Sequence, residues 1–161
     1  MAKTKFSVLI HTCNHALQLG RALDSLRPSD DVVVIDHGST DDTVKVARDH
    51  GARVVNGVSG VDHGAYVQDA RNDWILCLSP HEALAEELEA SLFEWRDVEH
   101  QDGQMGFNIA VREQNGHGWK FVGPHMRLAN RKQVNWTGDF PPENPSAPAL
   151  QGHILRIKEA H

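Results

Sequence analysis

Acids and imidazoles gather at three places in this chain of 161 residues. The first is Asp36-His37-Gly38-Ser39-Thr40-Asp41-Asp42-Thr43. An acid that ends an apolar run, followed by a glycine where the chain can turn and a ligand can reach the backbone, suits recognition of a polar ligand. Ser39 or Thr40 then fits the cap of a helix, with Asp41 and Asp42 at its positive end. The second place is Ser79-Pro80-His81-Glu82. Ser79 as cap, Pro80 at the first helical position and Glu82 three residues after the cap make a capping box. The third is Asp139-Phe140-Pro141-Pro142-Glu143, two acids in a proline-rich stretch.

The elements that must hold these groups alternate. Phe6 to His11 and Val32 to Ile35 predict strands, the second apolar on both faces and so buried and parallel. Asn14 can cap a helix carrying Leu19, Ala22, Leu23 and Leu26 on one face, which Pro28 stops. A helix over about 41–50, a strand over 52–55, a short helix over 65–71 and a strand over 74–78 follow. The longest predicted helix runs from Pro80 to about Asp97, with Leu84, Leu88, Leu92 and Trp95 on one stripe. Beyond Gly103, residues 106–113 and 119–129 alternate around a glycine-rich hairpin at 115–118, then come an irregular loop over 140–148 and a last strand over 154–157. Strand–helix alternation of this kind predicts a parallel sheet with right-handed crossovers.

The stretch around Asp36 resembles the nucleotide-binding half of family 2 glycosyltransferases. The family pattern is a strand followed by Asp-Asp-Gly-Ser-Thr-Asp-Asp-Thr; here His37 replaces one acid. Phe6 to Asn14 is similar to the family's first strand and its Pro-Thr-Tyr-Asn loop. Asp73 to Glu82 stands where the family has its fourth strand and metal-binding Asp-x-Asp. The nearest subgroup in pattern is that of the small lipopolysaccharide-core-type transferases. The resemblance implies a GT-A-like α/β fold, a three-layer α/β/α sandwich with a mostly parallel sheet. It implies one domain over 1–161, with a nucleotide-binding half over about 5–99 and a short acceptor-side half over about 104–161.

By the same resemblance the chain binds a nucleotide-sugar, a UDP-sugar above all, and passes the sugar to a glycan or lipid-linked acceptor. Thr12, Asn14, Asp36, Gly38, Ser39, His63 and Arg127 fall at nucleotide-contacting positions. Glu143, then Asp139, are the candidates for the base that takes the acceptor proton. The cofactor implied is Mn²⁺ or Mg²⁺. Both acids of the Asp-x-Asp are replaced in Leu78-Ser79-Pro80-His81-Glu82, leaving His81 and Glu82 as candidate ligands for an ion that prefers several hard oxygens. The chain therefore reads as a transferase of weak or lost activity, with a non-catalytic nucleotide-binding or scaffold protein of the same fold as the alternative.

Bulk properties narrow the classes. A net charge of −6 with histidine neutral carries no nucleic-acid footprint. No run of apolar residues approaches bilayer length, and the start of the chain lacks a signal-peptide pattern. Two cysteines far apart, Cys13 and Cys77, predict free thiols and a cytoplasmic setting. Eleven histidines are many for this length, and they make ligand affinity or charge sensitive to pH near neutrality.

Overall fold

A computed structural model describes residues 3–101 and 103–157. Strands β1 (Phe6–Thr12), β2 (Asp31–Asp36), β3 (Arg53–Asn56), β4 (Trp74–Leu78), β5 (Glu82–Leu84), β6 (Gly106–Asn115), β7 (Gly118–Asn130) and β8 (Ala149–Ile157) form one sheet. Its order is β3-β2-β1-β4-β7-β6-β8-β5. The first four strands run parallel, as the alternation predicts. The β7 strand joins β4 antiparallel, and the β6–β7 hairpin extends the sheet beyond it. The sheet is thus mixed: β4–β7, β6–β7 and β5–β8 pair antiparallel, while β6 and β8 pair parallel as the first four strands do.

Alternation along β1 and β2 builds two cores. Phe6, Val8, Ile10 and Val34 face helices α1 (Ala16–Asp24), α2 (Thr43–Asp49) and α3 (Glu86–Arg96). Leu9, Val33 and Ile35 face the other way, onto Tyr66, Val67 and Trp136. That second layer is thin, made by a 3-10 helix over His63–Asp69 and the segment after β7. Where α3 crosses β8, Gly152 sits at φ 96° and any Cβ there would run into the backbone of Leu88. The close approach of helix and strand depends on that glycine.

Three local expectations give way to long-range ones. Asn14 does not cap α1; at φ 59° it turns back across the loop after β2. Neither Ser39 nor Thr40 caps α2, whose preceding residue is Asp42. The helix expected from Pro80 begins only at Glu86, because residues 82–84 pair with β8 instead. Among the described residues, no helix is long and apolar enough to cross a membrane.

Candidate functional site

The parallel strands end together, and their loops interlock there. Asp36 closes β2, nearly buried at 6% exposed, and its carboxylate accepts from the Ser39 hydroxyl at 2.5 Å and the Ser39 N–H at 3.2 Å. Gly38, at φ 84°, makes the turn between them. The Asn14 side-chain oxygen accepts from the N–H groups of Thr40 and Asp41 at 2.8 and 3.3 Å, while its own N–H donates to Ser39 Oγ at 2.9 Å. Asp41 in turn accepts from Thr43 and from the Ala16 N–H that opens α1. Thr12 is buried and shares a hydrogen bond with His15 at 3.1 Å. Five of the residues expected to contact a nucleotide, Thr12, Asn14, Asp36, Gly38 and Ser39, therefore form one cross-braced rim.

A cavity of about 450 Å³ opens beside that rim, lined by His37, Gly38, the 57–61 loop and His63. His63 holds the carboxylate of Asp139, drawing the segment after β7 over the ends of β1 and β2. Glu143 lies further along it, where its two oxygens meet His125 Nδ1 at 3.1 Å and the Met126 N–H at 3.3 Å. The two candidate bases are thus both within the same covering loop, and only Asp139 is tied to a cavity-lining residue.

At the end of β4 the arrangement differs from the expected metal site. Glu82 is fully buried, and Arg127 grips both of its oxygens at 2.7 and 3.0 Å. Arg156 adds a third guanidinium bond at 3.0 Å, and the Ser79 N–H a fourth donor at 2.9 Å. Burial pushes the Glu82 carboxyl up, but hydrogen bonding and charge from Arg127 outweigh it and hold the group below its ordinary value. Arg127 is itself only 3% exposed, donates to the Cys77 carbonyl at 3.2 Å and lies 4.1 Å from the centre of the Phe140 ring. The two groups expected to meet a cation and a diphosphate are here paired with each other inside the fold. His81 packs edge-on to His15, with ring centres 4.9 Å apart. With Glu82 taken up by two guanidinium groups, the expected pair is left with the His81 imidazole, a donor that does not by itself suit Mg²⁺ or Mn²⁺.

The Ser79 capping box survives in part, as a turn. The Ser79 N–H still reaches Glu82, and Ser79 Oγ accepts only from His81 N–H at a long 3.3 Å. Replacing Ser79 by alanine removes that weaker bond alone, so the cost is expected to stay under about 1 kcal/mol, at the low end for a side-chain cap. Thermal melting of S79A checks this; a drop well beyond that figure would mean that the hydroxyl holds more than the turn.

Similarity to known proteins gives the family and the fold. The family model for glycosyl transferase family 2 matches residues 7–143. The chain belongs to that family. An uncharacterised glycosyltransferase of Rickettsia prowazekii is 31% identical over 111 residues, covering 66% of this chain and 38% of the relative. One of Rickettsia bellii is 31% identical over 137 residues, covering 80% and 47%. This family 2 chain spans less than half the length of those relatives. Among solved structures, a mycobacterial protein aligns over 96% of the chain and 65% of its own, at 16% identity and TM-score 0.58. The glucosyl-3-phosphoglycerate synthase of Mycobacterium tuberculosis, in complex with Mn²⁺, UDP and phosphoglyceric acid, aligns over 71% and 45% at 20% identity and TM-score 0.50. Both likenesses speak to the GT-A fold.

What sequence reasoning missed is a group of histidines behind the rim. His11, the penultimate residue of β1, and His37, directly after β2, have the same strand parity as Leu9 and Ile35. They therefore face the 3-10 helix, where His63 and Tyr66 meet them. The three rings lie nearly parallel, with centres 4.4–5.1 Å apart. Burial, with the neighbouring histidines, pushes the His11 imidazole down to about 4 despite the charge of Asp139. His37 is lowered in the same direction, by desolvation first. His37 standing in the place of a family acid was the available signal.

Proposed function

We propose that this chain is the donor-binding part of a family 2 glycosyltransferase. Its donor is a UDP-sugar, held at the rim of Thr12, Asn14, Asp36, Gly38 and Ser39 with His63 across the cavity. The observation that carries this reading is Asp36 at a parallel strand end, braced by Ser39 beside an open cavity, the place where α/β sheets bind ligands. The synthase of similar fold holds UDP and Mn²⁺. The acceptor is a glycan or lipid-linked hydroxyl, as in the lipopolysaccharide-core-type enzymes the motifs resemble. Two free thiols, Cys13 exposed and Cys77 buried, go with a reducing, cytoplasmic setting.

In such a transfer the acceptor oxygen bonds to the anomeric carbon, the bond to the diphosphate oxygen breaks, and a carboxylate takes the hydroxyl proton. Glu143 and Asp139 are the candidates for that proton, and the contact of Asp139 with His63 at the cavity favours Asp139. With Glu82 taken up by Arg127 and Arg156, the departing diphosphate lacks a metal-held stabiliser at the end of β4. A missing electrostatic stabiliser of this kind costs about a hundredfold or more in rate. Turnover is therefore slow, and the Glu82–Arg127–Arg156 cluster also favours the second reading, a nucleotide-binding module that does not turn over.

Calorimetric titration with UDP, with and without Mn²⁺, tests the proposal. UDP is expected to bind with affinity changed by less than about threefold on adding the metal, since each added favourable contact would show as tenfold per 1.4 kcal/mol. No UDP binding in either condition would overturn the donor-site reading. Strong Mn²⁺ enhancement would overturn its metal-free character.

A further inference from the structure

Among the described residues, one group of three potential ligands converges, His11, His37 and His63, each offering a ring nitrogen within 4.8 Å of the others. His37 follows β2, on one flank of β1, whereas the turn of Ser79 and Glu82, where the family metal is expected, follows β4 on the other. His11 is about nine-tenths buried and its Nε2 has no hydrogen-bond partner, an uncommon state for a buried polar atom. His63 Nδ1 is held by the Asp139 carboxylate, the outer-shell contact that orients an imidazole for metal binding through its other nitrogen. Gly57 leaves room for the His37 ring, on which any Cβ there would fall. Gly64, against the backbone of Trp136, likewise lets the 3-10 helix sit close enough to present His63.

We propose that His11, His37 and His63 bind a divalent transition-metal ion of the zinc class. Imidazole donors suit Zn²⁺, Co²⁺ and Ni²⁺, whereas Mg²⁺ and Mn²⁺ favour oxygen. Tetrahedral Zn–N bonds place donor atoms about 3.3 Å apart. His11 Nδ1 and His37 Nε2 already lie 2.8 Å apart, and the partly exposed rings of His37 and His63, now stacked nearly parallel, would turn so that their in-plane lone pairs meet at one ion. Three protein ligands leave a fourth position, as in sites that exchange water or a ligand rather than purely structural ones. His37 and His63 both line the 450 Å³ cavity, so such an ion borders it.

Titrating the full chain with Zn²⁺, and with Co²⁺ followed by its visible absorption, tests this without nucleotide present, so the result is separate from donor binding. One ion per chain is expected, with the absorption of a nitrogen-ligated tetrahedral cobalt centre. D139N should weaken uptake by about 10–100-fold, and H63A and H37Q by at least as much. These two histidines are partly exposed, so their variants keep the fold where H11A could lose it; circular dichroism verifies that. H81A, which alters the separate His15–His81 pair, should leave uptake intact. No stoichiometric uptake by the unaltered chain would overturn the site, as would uptake that survives H63A and H37Q or is lost in H81A.

Discussion

Replacing Glu82 by alanine is expected to destabilise the fold by about 3–5 kcal/mol, the cost of breaking a buried ion pair by removing one partner. The reason is what remains. Arg127, 3% exposed, would keep a positive charge inside the sheet, left with the Cys77 carbonyl and the face of the Phe140 ring. Arg156 fares better, since it is 29% exposed and also reaches Glu113 at 3.4 Å. Replacing Glu82 and Arg127 together by apolar residues of similar size should recover much of the loss, because the uncompensated charge is gone. Urea unfolding of the single and double variants measures both effects. A single variant within 1 kcal/mol of the parent, by the same bookkeeping, would show that Glu82 is not the carboxylate that compensates Arg127.

The same carboxylate sets a pH dependence. Its folded value lies below the ordinary 4.5 of a glutamate, so folding holds it ionised. The stability it contributes is complete above about 4.5 and is lost as pH falls through the lower folded value. Asp31, held down by Arg53 and by the Arg71 N–H against the opposing effect of burial, adds in the same direction. Acid unfolding below pH 4.5 should therefore be shallower in the Glu82–Arg127 double replacement than in the parent.

Asp36→Ala is expected to weaken UDP binding by about 10–100-fold, the size of losing one or more hydrogen bonds to a charged acceptor. Part of that loss comes through Ser39, whose hydroxyl and N–H both donate to Asp36. S39A separates the two contributions: it keeps the Asp36 charge and should cost less than the aspartate change. Calorimetry of both variants, with melting curves to show that the rim still folds, gives the split. Unchanged UDP affinity in D36A would remove Asp36 from the donor site.

The first half of the chain was legible because its signals are local. Val32 to Ile35 could only be a buried strand, and β4 falls at Trp74–Leu78 as its apolar run predicts. The errors lie where distant residues decide. The capping box at Ser79 forms its Ser79–Glu82 hydrogen bond, but the chain then pairs with β8, where Glu82 stands opposite Arg156. No local pattern announces a partner 74 residues away. Asn14 is a good helix cap by type, yet its side chain satisfies the loop after β2 instead, a contact set by strand pairing. The Asp36 rim was visible as a motif because the acid, the glycine and the serine are adjacent. The histidine group was not, since its members come from three elements that meet only when the parallel strands align.

Soaking UDP into crystals of this chain tests the central claim most directly. Uracil and ribose are expected at the rim of Asp36, Asn14 and Ser39, with the diphosphate running toward the end of β4 and no cation coordinated by Glu82. A Mn²⁺ ion held between Glu82, His81 and the diphosphate, with Arg127 swung out of the sheet, would contradict it, as would side chains filling the cleft where the nucleotide belongs.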